Sequence, residues 1–300
     1  MTRSGFIAVT GRPNVGKSTL VNALTGAPVA IVSDKPQTTR RAIRGIANGE
    51  QEGTGWQAVF VDLPGVQHPR DALTERMQRS VERELGESDA VLFVLNAAER
   101  SGGGDRFIAR ALANTGVPVI AAVNKTDVPD RGGIAAALVA ATELEAEGVE
   151  FREVFPVSAK TGAGLPELRE ALVDLLPEGP FYYPEGEHSD QPPAVRLAEM
   201  IRDQALRRTR EEVPHAIEVQ VEDIEERDDL TVVHATLLAE TESQKGILIG
   251  RNGSMVKSIG SAARREIERE LGRRIHLDLA VKVRRGWRGD EALLDRLGID

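Results

Sequence analysis

The chain has 300 residues, 41 % of them hydrophobic, a formal net charge of −9 and no cysteine. That length supports two globular domains with separate cores, and the composition excludes disulfides, thiol chemistry and cysteine-ligated zinc. Apolar runs reach only strand length, near 90–95 and 117–123, far short of a membrane span, and Met1–Gly5 leads directly into a strand, with no room expected for a signal peptide.

The first predicted strand is Phe6-Ile7-Ala8-Val9-Thr10, and a helix is predicted over 18–26. Between them, Gly11-Arg12-Pro13-Asn14-Val15-Gly16-Lys17-Ser18 has the G-x-x-x-x-G-K-S spacing of a phosphate loop, with Thr19 next in line. Glycines let backbone N–H groups turn inward around phosphate oxygens, and the helix N-terminus adds positive potential. Lys17 is expected to reach the β- and γ-phosphates and the Ser18 hydroxyl to ligate Mg²⁺. Asn14 has two readings. Its side-chain carbonyl helps hold a monovalent cation such as K⁺ against the phosphates, where an arginine finger would otherwise act, or it closes an Asx turn.

Strands are predicted over 42–48 and 56–62, after the polar segment 33–40, SDKPQTTR. That segment reads as a switch loop ordered by a threonine hydroxyl on Mg²⁺, with Thr39 as the expected ligand and Thr38 as the alternative. The second strand ends in Asp62, followed by Leu63-Pro64-Gly65. Asp62 fits the carboxylate that holds Mg²⁺ in phosphate-loop enzymes, and a glycine at 65 lets its amide approach the γ-phosphate. Val66 stands where many GTPases carry the glutamine that orients the attacking water, which predicts slow, partner-tuned hydrolysis. His68 is read as a switch residue rather than a base.

A helix over 70–86, a strand over 90–95 and a helix over 104–114 follow, then an apolar strand over 117–123 that ends in Asn124-Lys125-Thr126-Asp127. Ligands of open α/β sheets bind beyond the carboxyl ends of strands. A carboxylate at Asp127 can accept from guanine N1–H and its 2-amino group together. Adenine offers no such donors, and the unpaired carboxylate would cost several kcal/mol. Asn124 is expected at the guanine N7/O6 edge, with the Lys125 stem along the ring. After a helix over 132–147, a strand over 154–158 ends in Ser158-Ala159-Lys160, whose amides suit guanine O6; a helix over 164–175 closes the alternation. The pattern predicts an α/β fold with a doubly wound, mostly parallel sheet over 1–176.

Residues 177–194 are expected to be a linker, with five prolines and two glycines in 177–193. Phe181, Tyr182 and Tyr183 are expected to latch it onto a domain rather than to stack bases. A smaller α+β domain over 195–300 follows. It has a helix over 195–210, strands over 217–221 and 231–239, a helix over 254–271 and a strand over 275–283. Gly250-Arg251-Asn252-Gly253 joins two helical stretches, the pattern of a KH domain, whose loop clamps single-stranded nucleic acid. Charge is segregated: 211–242 hold eleven acidic residues against one basic, whereas 245–288 hold twelve basic against four acidic. Gly250, Arg251, Asn252, Gly253, Lys257, Arg264, Arg284 and Arg285 are the expected RNA-binding residues. The absence of aromatic residues from 245–280 favours a backbone clamp over base stacking.

GRPNVGKST at 11–19, PQTTR at 36–40, DLPG at 62–65, NKTD at 124–127, SAK at 158–160, EEVPH at 211–215, IGRNG at 249–253 and VKVRRGW at 281–287 together resemble the Era family of bacterial GTPases. The resemblance covers essentially the whole chain. It implies a P-loop GTPase domain followed by a type II KH domain, Mg²⁺-dependent conversion of GTP to GDP and phosphate, and a monomer. It further implies binding to the 3′ end of 16S rRNA, action in 30S subunit assembly, and a cytoplasmic setting with peripheral membrane association in some members. Leu63, in place of a threonine, and Asn252, in place of a glycine, are mild departures. Two rivals stand beside this reading. A tandem-domain or tRNA-modification GTPase is opposed by the single phosphate loop and the C-terminal IGRNG. An RNA-binding scaffold with a purely structural nucleotide is the other.

Overall fold

The computed structural model describes residues 2–32, 39–65, 70–128, 133–209 and 213–299, apart from the side chains of Pro214 and His215. The expectations placed on Thr38, Val66 and His68 lie outside the described residues. The chain divides into two compact units, the first built mainly from residues up to Asp190 and the second mainly from Gln191 onward.

The first unit is a six-stranded sheet of β1 (Thr2–Thr10), β2 (Ile43–Gln51), β3 (Thr54–Asp62), β4 (Ala90–Asn96), β5 (Val119–Asn124) and β6 (Phe151–Pro156), in the order β2-β3-β1-β4-β5-β6. Only the β2–β3 pair is antiparallel. β4 and β5 are buried along their whole length, so their near-continuous apolar runs are what a sheet covered on both faces requires. On one face, α1 (Lys17–Thr25) and α5 (Leu165–Asp174) bring Leu20, Val21, Leu24, Leu168 and Leu172 onto the sheet. On the other, α2 (Ala72–Glu87), α3 (Gly103–Leu112) and α4 (Gly133–Thr142) contribute Val81, Leu85, Ile108, Leu112 and Ala141. Because β1 lies between β3 and β4, the chain reverses its winding direction there. The carboxyl end of β1, where the phosphate loop begins, is therefore the topological switch point.

Several elements depart from their sequence bounds; the strand expected over 217–221, for one, spans Glu218–Glu226. β1 starts at Thr2 because it pairs with β3 from Thr2↔Gly55 onward. The helix expected over 132–147 ends at Thr142 and tightens into a 3₁₀ turn over Glu143–Glu147, closed by left-handed Gly148. β6 starts three residues and ends two residues earlier than expected, since Arg152 and Glu153 on this edge strand face solvent and break the apolar pattern.

The segment after Leu176 is held to the first unit. Gln57, fully buried on β3, accepts from the Tyr182 and Tyr183 amides at 2.8 and 3.0 Å and donates to the Tyr183 carbonyl at 2.9 Å. The Tyr182 ring packs at 4.8 Å from Phe6, and Tyr183 Oη donates to Asp190 at 2.8 Å.

The second unit opens with α6 (Pro193–Arg208) and the single turn α7 (Val213–Ala216). It continues with β7 (Glu218–Glu226), β8 (Leu230–Ala239), α8 (Glu242–Ile249), α9 (Ser254–Leu271), β9 (Arg274–Val283) and α10 (Glu291–Arg296). Leaving aside the α7 turn and α10, this is the expected α-β-β-α-α-β order. β7 and β8 are antiparallel, and β9 runs parallel to β8 over ten paired positions. Leu197, Ile201 and Leu206 of α6 and Ile259, Ala263 and Ile267 of α9 pack with Val219, Val233, Ala235 and Leu237 of the sheet. Trp287 is buried and donates its indole N–H to the Ala216 carbonyl at 2.9 Å.

Candidate functional site

The carboxyl ends of β1, β3 and β5 lie along one edge of the first sheet, and the sequence-selected residues collect there. Lys17, 7 % exposed, donates to the carbonyls of Gly11 and Arg12, both at 3.1 Å. Its ammonium thus folds back over the loop it closes. Burial pushes it below its ordinary value, and the Asp62 carboxylate opposes that push. Asp62 is fully buried, and desolvation raises its carboxyl above the usual range against the opposing effects of Lys17, Ser18 and Thr39.

Ser18 Oγ donates to Asp62 Oδ2 at 2.7 Å, Thr39 Oγ1 lies 3.3 Å from the same oxygen, and the two hydroxyls are 3.3 Å apart. Among the described residues, Asp62 Oδ1 is buried without a hydrogen-bond partner. Two hydroxyls and a carboxylate with an orphaned buried oxygen are a hard donor set of the kind Mg²⁺ takes. They therefore fit the metal that the sequence implied. Gly65 lies over the phosphate loop so closely that a Cβ there would meet Pro13 Cγ at 2.9 Å.

The second half of the site is tied to the first. Asn124, 2 % exposed, donates to the Val15 carbonyl at 3.0 Å and accepts from the Ala159 amide at 2.9 Å. A Cβ on Gly16 would fall 2.5 Å from its Nδ2, so this contact needs the glycine. Sequence reasoning expected Asn124 at the guanine edge. The structure shows both ends of its amide engaged by the protein, bridging the phosphate loop and the Ser158-Ala159-Lys160 turn. Lys125 Nζ donates to the Asn14 carbonyl at 2.6 Å, while Asn14 itself is exposed on the loop rim. Asp127 is exposed and accepts from Ser158 Oγ at 2.7 Å, a bond that holds its carboxyl below the usual carboxylate range. Asn124 and Lys125 thus tie the phosphate loop to the segment that carries the exposed Asp127 carboxylate, an arrangement suited to a nucleotide with donors on its base.

In the second unit, Gly250 joins α8 to the turn before α9 at φ 71°, ψ 173°. That region is open essentially to glycine alone, and a Cβ there would also meet the Met255 amide nitrogen at 2.8 Å. Asn252 sits at φ 53°, ψ 32°. Asparagine tolerates this left-handed conformation, which explains how it stands where glycine was expected. Arg251, Asn252, Lys257, Arg264, Arg284 and Arg285 are exposed. Arg264 lies 4.0 Å from Glu268, one turn along α9. Arg284 is held more closely, donating to Asp290 Oδ2 at 2.6 Å. Asp290 also caps α10 by accepting from the Leu293 amide. The sequence signal missed here was the Asp290-Glu291 pair at a helix start.

A family model described as 50S ribosome-binding GTPase matches residues 6–125, and a KH-domain model matches residues 212–288. GTPase Era of Heliobacterium modesticaldum is 45 % identical over 299 residues, spanning 99 % of this chain and 97 % of the relative. GTPase Era of Mycobacterium tuberculosis is 44 % identical over 301 residues, with 98 % of each chain covered. The crystal structure of a point variant of Aquifex aeolicus Era bound to GDP·AlF4⁻ superposes with a TM-score of 0.91 at 36 % identity, covering 99 % of both chains. A crystal structure of Era in complex with MgGDPNP and nucleotides 1506–1542 of 16S ribosomal RNA gives the same TM-score at 35 % identity, covering 100 % of this chain and 99 % of that one.

Proposed function

The chain belongs to the Era family of GTPases, and on that premise we propose that it is a GTP-driven switch that takes the 3′ end of 16S rRNA in its KH domain and acts in 30S subunit assembly in the cytoplasm. The observation that carries this reading is the relative of matching fold solved with both MgGDPNP and a 16S segment. The same proposal divides the chain into a GTPase domain over 1–176, a connecting segment over 177–194 and a KH domain over 195–300.

In the proposed chemistry, water attacks the γ-phosphate and no side chain acts as nucleophile. Lys17 and the loop amides neutralise charge that develops on the phosphoryl oxygens. Ser18, Thr39 and Asp62 would hold Mg²⁺, which supplies further charge neutralisation at the β- and γ-phosphates. The Gly65 amide, close over Pro13, registers the γ-phosphate. Asp127 reads the guanine, supported by Ser158. With valine at 66, turnover is slow, and Asn14 on the exposed loop rim supplies an oxygen for K⁺. Replacing KCl with NaCl then lowers kcat in the native chain but not in Asn14→Ala; equal rates in both salts would remove K⁺ from the mechanism.

Gly250, Arg251, Asn252 and Gly253 clamp the RNA backbone, with Lys257, Arg264 and Arg285 supplying charge. Arg284 joins them by exchanging Asp290 for phosphate. The test is phosphate release with and without an oligonucleotide matching the 16S 3′ end. Stimulation that disappears in Gly250→Asp supports the proposal. RNA binding without any GTP turnover would leave the scaffold reading instead.

A further inference from the structure

Arg12 is the second residue of the phosphate loop, yet its side chain turns away from the loop's interior. Its Nε donates to Asp105 Oδ1 at 2.8 Å and its Nη2 to Glu99 Oε2 at 3.2 Å. Asp105 is 1 % exposed, and its other oxygen accepts from the Gly102 amide at 2.8 Å, capping the start of α3. Glu99 is fixed in turn, because Oε1 accepts from Asn96 Nδ2 at 2.7 Å at the end of β4. The aliphatic stem of Arg12 lies on Gly104, where a Cβ would meet Arg12 Cδ at 2.8 Å. The guanidinium is therefore gripped by two carboxylates, each with its second oxygen already committed. Charge-assisted bonds of this kind are the strong ones.

We propose that the Arg12–Asp105–Glu99 cluster is a brace that positions the phosphate loop for hydrolysis, making Arg12 and Asp105 positioning residues for the GTPase reaction. The opposite flank of the loop is tied by Asn124 to the Val15 carbonyl and by Lys125 to the Asn14 carbonyl. Those contacts hold its base-side half. The phosphate-side arc, Arg12 and Pro13, carries the carbonyl that accepts from Lys17 and the ring against which Gly65 rests. Anchoring that arc to α3 fixes two groups of the γ-phosphate end at once. A displacement of about 1 Å in such groups is enough to cost up to 10²-fold in rate. Affinity for GDP, which has no γ-phosphate, depends on the flank held by Asn124 and Lys125 and is spared.

The inference rests on the phosphate-loop assignment, and wild-type GDP affinity tests that assignment separately. The brace is tested in the full-length protein by single-turnover GTP hydrolysis, fluorescent-GDP binding and thermal melting of Arg12→Met, Arg12→Lys, Asp105→Asn and the Arg12→Met/Asp105→Asn double variant. Methionine keeps the stem on Gly104, and asparagine keeps an oxygen for the Gly102 amide, so each change removes charge with little change of shape. The expected result is a hydrolysis rate about tenfold lower in Arg12→Met and Asp105→Asn, with GDP affinity within about threefold of wild type. The double variant should be no slower than either single one, because one interaction is removed twice, and Arg12→Lys should recover part of the rate. An unchanged rate, or additive losses in the double variant, would overturn the proposal. So would hydrolysis, GDP affinity and melting temperature falling together, since the cluster would then be structural only.

Discussion

Asp127 is exposed, yet its carboxyl is held below the usual range, because the Ser158 hydroxyl donates to it. The proposed guanine reading by Asp127 needs that carboxylate ionised. A carboxyl whose pKa is depressed in the folded protein contributes above its unfolded value, and the contribution is lost as pH falls through the folded value. Ser158→Ala raises the folded pKa, so GDP affinity should begin to fall at a higher pH than in wild type; titration of fluorescent GDP across the acid range reads this directly. Superimposable acid limbs would assign Ser158 no part in ionisation. Asp127→Asn replaces an acceptor with a donor and should move the preference from GTP toward xanthosine triphosphate by about 10⁴-fold, the range of sites that read a base by hydrogen bonding. At this scale spacing alone picked out Lys17, Ser18, Asp62 and Asp127, and the structure places Lys17 and Ser18 after β1, Asp62 at the end of β3 and Asp127 after β5. Residues that act across the fold were not legible. Nothing in the local pattern around Arg12 points 93 positions ahead to Asp105, and the bridging of Val15 to Ala159 by Asn124 depends on three separate segments.

Among the elements, buried strands were easiest to recognise, since β4 and β5 are covered on both faces and must be apolar throughout. Edge and terminal elements were hardest. β6 carries exposed Arg152 and Glu153, and α10 is a six-residue helix whose start is set by Asp290. The connecting segment shows the limit of composition as a guide. Its prolines and glycines read as a linker and its aromatic residues as a latch; the latch is there, but it is held by the backbone of Tyr182 and Tyr183, which Gln57 binds through three hydrogen bonds. A buried amide satisfying backbone groups of a distant segment is worth more in place than its net bond energies, because its loss leaves those groups unpaired at about 1–3 kcal/mol. Gln57→Leu should therefore lower the melting temperature and open residues 181–188 to limited proteolysis, leaving the strand pairing of β2 and β3 intact. A cleavage pattern identical to wild type would mean that Phe6–Tyr182 packing and the other contacts suffice.

On the scale of the whole chain, the net charge of −9 conceals a basic module, the twelve Lys and Arg residues in 245–288, in an otherwise acidic protein. That segregation favours polyanion binding at one place and disfavours it elsewhere, so RNA affinity should fall steeply with salt. Lys257→Ala, which removes one of the proposed phosphate contacts, should weaken binding to all sequences alike and reduce the salt slope by about one. Electrostatics alone would make such binding indifferent to nucleotide. Gating requires a different free energy: GTP must stabilise one state of the chain more than GDP does, and RNA must prefer that state. Linkage makes the coupling reciprocal, so a GTP analogue that tightens RNA binding about tenfold must itself bind about tenfold tighter when RNA is present. Filter binding of the 16S 3′-end oligonucleotide with GDPNP and with GDP, paired with nucleotide affinity measured with and without that oligonucleotide, checks both sides. Matching ratios above unity would make the chain a coupled switch. Ratios of one on both sides would leave a GTPase and an RNA clamp that share a polypeptide without communicating.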